Sequence, residues 1–437
     1  MLDIQTPISE RFRRLAKEGL WIVLGQAMAV LGALVGVRLL TELLDPAAYG
    51  ELALGMTLAT LVNQTVLGPL GNGVTRFYAP AVEQYDVGGY LNAVRRMVLS
   101  ATGIIILVML FSVAGLLIAG RLEWAAIAAV AFIFAILSGC NSILNGIQNA
   151  ARQRSIVALH QGIESWARFL VAVGLMVWLG STSTVAMGGY ALSVILVLGS
   201  QYVFFRKLIP RRTATADKEI IWRHQIWAYS WPFATWGLFS WAQQVSDRWA
   251  LGLFSTMQDV GLYAVLFQLG YYPISIATGM ALQFFAPIFY QRAGDAGDTR
   301  RNANVDSLSW RLTALTLGVT GAAFLAVLLF HAQIFRILVA DKYGTVSHLL
   351  PWVMLASGVF AAGQTIALNL MSQMKTGRLI VPKIITALFG VTFNIAGAYW
   401  YGTAGIVIAG LLFSILYCVW MAALQTNSGR LKRLSEV

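Results

Sequence analysis

The sequence predicts an all-α, polytopic membrane protein: twelve transmembrane helices in two six-helix lobes around a central cavity. Three observations predict it. The 437 residues are 58% hydrophobic and only 11% charged, with a mean hydropathy of +0.70, whereas soluble domains average about 25% charged residues. Apolar stretches of helical length recur twelve times along the chain, and about 20 such residues cross a bilayer. The gaps between them alternate between basic and almost uncharged. Of the 31 Lys and Arg, 25 fall in the N-terminus, the even-numbered gaps and the C-terminal tail. Only Arg121, Arg336 and Lys342 lie in odd-numbered gaps. Cytoplasmic loops retain Lys and Arg, so both chain ends are expected in the cytoplasm.

The expected spans are 19–41, 50–73, 97–119, 124–147, 156–179, 185–205, 226–254, 260–288, 310–335, 348–372, 379–400 and 404–424. The first follows a mostly polar segment bearing RFRRLAK (11–17) and begins the repeating pattern. It reads as a retained helix, not a cleaved signal. TELLD, uncharged but for its acids, separates spans one and two. Arg76, Arg95 and Arg96 follow the second span, Arg152 and Arg154 the fourth. GRLEW and GSTST mark the opposite face, and RKLIPRRTATADKEIIWR (206–223) follows the sixth span. In the second half, Arg292, Arg300, Arg301 and Arg311, then Lys375, Arg378 and Lys383, then GRLKR (429–433) continue the basic side. WYGTAG stands opposite. Only the gap at 336–347 is mixed, with Asp341 beside Arg336 and Lys342. The net charge of +12 follows from this bias and implies no nucleic-acid partner.

The stretch at 206–223 is the natural midpoint. Lobes at 1–210 and 226–437 are expected, joined by a cytoplasmic linker at 211–225. The halves repeat. LLDPAAYGELALG (43–55) then RFYAP (76–80) matches STMQDVGLYAVLFQLG (255–270) then IFYQR (288–292). Gly50 and Gly261 are 211 residues apart, and Tyr78 and Tyr290 are 212 apart. Six helices per half give both halves one orientation, a parallel repeat suited to alternating access. Pro69, Pro232, Pro273 and Pro287 are expected to kink spans, either as moving elements or as static packing features.

Three arginines, Arg38, Arg168 and Arg248, lie inside apolar stretches. A midplane charge costs roughly 2.5–3.5 kcal/mol on insertion scales, so each needs a reason. Arg38, near the outer end of its helix, either snorkels to the interface or serves function. Glu164 and Arg168, spaced i,i+4, share a face and either neutralise each other or line a cavity. Asp247 and Arg248 are adjacent and point about 100° apart, so mutual neutralisation is not expected and one must face a partner helix or water. Uncharged polar groups also sit in spans: Asn63, Gln64, Asn141, Asn145, Gln148, Asn149, Gln243, Gln244, Gln364, Asn369 and Asn394. Each reads as interhelical glue or as a binding group. Trp236 and Trp241 read as core residues or as sugar-stacking platforms.

No Walker A, HExxH or GxSxG motif occurs, and the four histidines, His160, His224, His331 and His348, do not cluster. Cys140 and Cys418 both lie in apolar spans and offer no CxxC site or disulfide framework. No cofactor or metal is expected. No outer gap is long enough for a catalytic domain, which argues against a glycan polymerase or ligase.

LLDPAAYGELALG after the first span, GNGVTRFY ending the second and DVGLYAV opening the eighth resemble the polysaccharide transporter branch of the multidrug/oligosaccharidyl-lipid/polysaccharide (MOP) exporter superfamily. That branch includes Wzx-type flippases, and the resemblance covers essentially the whole chain. It implies a flippase that moves polyprenyl-diphosphate-linked oligosaccharide across the bacterial cytoplasmic membrane for O-antigen, capsule or exopolysaccharide synthesis. Membrane lipid and other polysaccharide assembly proteins are the implied partners. Arginine suits a diphosphate because its planar fork donates two hydrogen bonds and stays charged. Arg248 and Arg168 are expected to line the cavity, with Arg38 and Arg76 at its mouths. Asn145, Gln148, Gln243 and Gln244 are expected on the sugars, with Asp247 or Glu164 as candidates for ion coupling. The alternative is a MATE-like drug or cation antiporter. MATE proteins often carry a functional acid in the first helix, whereas here the apolar span of that helix holds only Arg38. MurJ-like chains, of the same superfamily, usually have two further C-terminal helices.

Overall fold

The computed structural model describes residues 8–206, 216–294, 298–375 and 377–435. Among these residues every regular element is a helix. They are α1 (Ile8–Leu43), α2 (Pro46–Val62), α3 (Gly68–Glu83), α4 (Val87–Ile118), α5 (Leu122–Ala150), α6 (Arg154–Leu179) and α7 (Ser183–Phe205). Then come α8 (Ala216–Phe254), α9 (Met257–Gly270), α10 (Tyr272–Ala293), α11 (Thr299–Leu338), α12 (Leu350–Ser372) and α13 (Gly377–Ser435). All twelve expected spans fall on helix. Eight segments among the described residues are long and apolar enough to cross a membrane, and one of them, Val381–Thr426, covers one expected span and all but two residues of another. The protein is a multi-pass membrane protein.

Local chemistry sets the helix ends. The Asp45 carboxylate accepts from Ala48 N at 2.7 Å to start α2. Thr256 and Asp259 form a reciprocal capping box at the start of α9, the equivalent point of the repeat. Asp86, Thr182 and Asp298 cap α4, α7 and α11. Within α13 the chain reverses at Gly402, whose φ of +53° is open to glycine at little cost.

All four expected prolines lie within helical runs, and one boundary needs correction. Pro69 follows a five-residue π segment, Asn63–Leu67, inside the continuous helical run of α2 and α3, and Pro273 follows Tyr271, the one turn residue between α9 and α10, which keeps α-helical dihedrals. A π segment and a proline both break the regular i to i−4 pairing. Pro232 and Pro287 lie inside helices. Helix α8 begins at Ala216, ten residues before the expected 226. Part of the charged stretch is therefore helical; residues 207–215 lie outside the described residues.

The chain forms two compact units, residues 1–44 with 51–241, and residues 45–50 with 242–437. In the first, α1 packs on α6 through small residues. A Cβ on Gly32 would meet Ser165 O at 3.2 Å, and one on Gly36 would collide with the Phe169 ring. Without a hydrophobic force between helices in lipid, close backbone approach supplies the dispersion contact. Helix α5 lies inside, with 56% of its most apolar window buried, while α4 has only 11% buried. Phe111 and Ile104 of α4, 72% and 63% exposed, therefore face outward, as lipid contact requires.

The start of α8 is fastened within this unit. Trp222 Nε1 donates to Asp86 Oδ2 at 2.9 Å, and the Trp222 ring meets Phe77 and Tyr90 edge-on. Arg96 Nε lies 3.0 Å from Glu219 Oε1. In the second unit α12 is innermost, with 72% of its apolar window buried. Ile366, Leu370, Tyr417 and Met421 form one core cluster, and Phe289, Ala293, Val305 and Leu368 another.

Candidate functional site

In each unit, among the described residues, an acid–arginine pair on an apolar helix is walled by aromatic rings. In the first unit α6 brings Glu164 and Arg168 onto one face, and Arg168 Nη2 donates to Glu164 Oε1 at 3.1 Å. The other carboxylate oxygen accepts from Asn141 Nδ2 of α5 at 2.8 Å. The Arg168 guanidinium carbon lies 5.5 Å from the centre of the Phe134 ring and 5.8 Å from that of Tyr190. Phe169 closes edge-on against Tyr190. The Glu164 charge is thus met by two donors. Arg168 keeps 30% of its side chain exposed, and its Nε is buried without a partner.

The second unit holds Asp247 and Arg248 on α8. Arg248 Nη1 lies 4.0 Å from Asp247 Oδ1, a long contact, and Asp247 also faces a partner helix, α9, as expected of one of the two. The four-bond arginine stem curls back far enough to offset the 100° between the Cα directions. The pair is not self-sufficient. Asp247 accepts from Arg248 N at 2.7 Å and from the Tyr263 hydroxyl of α9 at 2.8 Å. The Arg248 guanidinium sits 4.3 Å above the Phe267 ring, and its side chain is only 13% exposed. Tyr49 and Tyr271 lie within electrostatic reach of Arg248. A cation desolvated over an aromatic face gains about 2 kcal/mol or more. Among the described residues, one long carboxylate contact, at 4.0 Å, faces the Arg248 charge.

The remaining expected residues separate into different roles. Asn145 and Gln148 are buried and joined by Gln201 of α7, whose Nε2 donates to Asn145 Oδ1 and, at 2.6 Å, to Gln148 Oε1. That network ties α5 to α7. Gln243 is half-buried and Gln244 exposed, one turn before Asp247. Ser246, beside them, accepts from Asn394 Nδ2 at 2.8 Å. Arg38 forms an i,i+4 ion pair with Glu42, and the two side chains are 36% and 50% exposed. Arg76 is exposed on α3. Trp241 donates to Thr57 O at 2.8 Å, a packing contact, while Trp236 is exposed. Among the described residues no cluster of His, Cys, Asp and Glu could hold a metal ion, and both cysteines are unbridged.

Sequence reasoning missed Gln201, Phe134, Tyr190, Tyr263 and Phe267. Gln201 was detectable as a lone amide in an apolar span, the same signal that singled out Asn145. Tyr263 lies in the repeated GLYAV stretch, but an aromatic residue in an apolar span carries no mark of its contacts.

The fold is that of the transporters of the MOP superfamily. It matches a multidrug resistance MATE family transporter in an inward-facing conformation, with a TM-score of 0.68 at 14% identity over 92% of this chain and 94% of that one. It matches the lipid II flippase MurJ in an inward closed conformation equally well, at 12% identity over 93% of this chain and 86% of that one, with a TM-score of 0.68. A MOP superfamily transporter from Pyrococcus furiosus gives a TM-score of 0.57 at 15% identity, covering 94% and 95%. No curated protein gives a significant sequence match. Within that class, the chain belongs to the polysaccharide biosynthesis protein family, whose model matches residues 15–291.

Proposed function

We propose that the protein is a flippase that carries polyprenyl-diphosphate-linked oligosaccharide across the bacterial cytoplasmic membrane for surface polysaccharide synthesis. The observation that carries this reading is Arg248, a guanidinium 13% exposed, braced on Phe267 and with its one carboxylate contact at 4.0 Å. Arginine offers a diphosphate two parallel donors, and a poorly solvated site strengthens them. Family membership supports a saccharide-linked substrate, and the MurJ match supports a fold compatible with a lipid-linked one.

In this reading Arg248 holds the diphosphate during translocation. Arg168, Arg38 and Arg76 add positive charge along the path, and Gln243 and Gln244 contact sugars. Asn145 and Gln148 act indirectly, since Gln201 already occupies their oxygens. Lobes at 1–210 and 226–437 alternate access, with both chain ends in the cytoplasm. Asp247 is the better candidate for ion coupling, because its carboxylate bridges Arg248 and Tyr263.

Deleting the gene in its host and profiling extracted lipids by mass spectrometry tests the reading. Accumulated polyprenyl-diphosphate oligosaccharide with lost surface glycan is the expected result. An unchanged lipid profile with new sensitivity to cationic dyes would replace it with drug efflux.

A further inference from the structure

Helix α11 starts at Thr299, well before its apolar run begins near 310. The polar extension carries Arg301, Asn304, Ser307 and Arg311 at spacings of three, three and four, which keeps them near one face. From Arg301 to Arg311 that face rises about 15 Å. Opposite stand Gln291 and Arg292 at the end of α10. Together with Leu308 these six line an open cleft of about 650 Å³.

The cleft is built, not merely a scatter of surface cations. Arg301 Nε donates to Arg292 O at 3.1 Å and its Nη2 to Gln291 O at 3.3 Å. The guanidinium thereby caps the carbonyl end of α10, which fixes its place in the wall. The side chains of Arg292 and Arg311 have no hydrogen bond or ion pair among the described residues. The nearby acids among the described residues are turned elsewhere. Asp306 Oδ1 accepts from Asn369 Nδ2 at 2.7 Å and from Gln373 Nε2 at 2.6 Å. Asp298 Oδ1 accepts from the backbone N–H groups of Arg300 and Arg301. Trp310, 39% exposed next to Arg311, is a residue of the kind that sits at headgroup level.

We propose that this cleft binds the phosphate headgroup of a lipid from the basic-side leaflet. Three arginines with neutral amide and hydroxyl neighbours match a phosphate or diphosphate, and the volume lies in the range of small-ligand sites. Bulk anionic phospholipid and a lipid-linked diphosphate share this chemistry. If the second is the source, the site is the first contact of the transported substrate, and that version rests on the flippase reading.

The test titrates the full-length protein in detergent with short-chain phosphatidylglycerol, phosphatidylcholine, farnesyl diphosphate and farnesol. It uses native mass spectrometry, in the wild-type and Arg248→Ala backgrounds, so that the cleft is separated from the transport site. The expected result is binding of the phosphate-bearing anions over phosphatidylcholine and farnesol in both backgrounds. The Arg292→Gln/Arg311→Gln pair should weaken it by at least about tenfold. Arg301 is left intact because it caps α10. Farnesyl diphosphate bound about tenfold or more above phosphatidylglycerol assigns the site to the substrate; equal binding assigns it to bulk lipid. Equal binding of all four probes, or an unchanged affinity in the double variant with an unaltered melting temperature, overturns the proposal. If the cleft binds as expected while transport fails in no Arg248 variant, the flippase site map falls and the headgroup site stands.

Discussion

Gly50 and Gly261 lie backbone to backbone at the starts of α2 and α9, and each occupies the position of the other in the repeat. A Cβ on Gly50 would collide with Met257 O, and one on Gly261 with Pro46 O; Met257 and Pro46 are themselves 211 residues apart. The contact is reciprocal, as a self-complementary contact must be. Gly50 N would lie 3.0 Å from the added carbon on Gly261 and Gly261 N 2.9 Å from that on Gly50, so neither side can yield by moving a side chain. Alanine at either position should destabilise by about 1–3 kcal/mol, the range for overpacking. Thermal unfolding of the purified protein measures it, and an unchanged midpoint in both variants would show the contact absent.

Arg248 should be intolerant of lysine as well as alanine. Lysine keeps the charge but loses the fork and the flat face over Phe267. Transport in Arg248→Lys should fall by at least about tenfold, and in Arg248→Ala to background, with melting temperatures close to wild type. A fully active Arg248→Ala would remove this arginine from the path.

Tyr263→Phe deletes one hydroxyl, the donor to Asp247 at 2.8 Å. The Asp247 carboxylate then depends on Arg248 and its own helix. A hydrogen bond to a charged group contributes about 1.5–3 kcal/mol. Loss of transport without loss of fold is expected, and full transport in Tyr263→Phe would remove this hydroxyl from the site.

Gln201→Leu should act on stability. It strips the donors from Asn145 Oδ1 and Gln148 Oε1, both buried, at about 1–3 kcal/mol in total. Asn145→Ala should have a smaller effect of the same kind and leave substrate preference intact. A changed glycan preference would instead return Asn145 to the binding surface.

Trp222→Phe should loosen the start of α8 by about 1 kcal/mol, since the ring contacts survive but the bond to Asp86 does not. Hydrogen exchange over 216–230 should quicken. A double-mutant cycle on Arg96 and Glu219 should give under about 1 kcal/mol, because Arg96 is 66% exposed and water screens the pair.

The amino-acid order by itself determined the membrane class, the places of the helices and the repeat. These follow from one-dimensional rules, since lipid forces backbone groups to pair within a helix and charge bias acts loop by loop. It also marked Arg38, Arg168 and Arg248, because a charge in an apolar run is visible without a partner. The i,i+4 spacing also offered Glu164 to Arg168, but most of what those charges touch was decided by the tertiary structure. The reach of Arg248 back to Asp247, the Phe267 face beneath it, the Tyr263 hydroxyl on α9 and the Gln201 bridge join residues 1 to 56 positions apart. The basic cleft likewise needs α10 and α11 side by side; in sequence Arg292, Arg301 and Arg311 are three more cations on the basic side, and only folding turns them toward one space. A contact depends on rotamers and on the crossing of helices, and neither is written in the spacing of residues along one strand of chain.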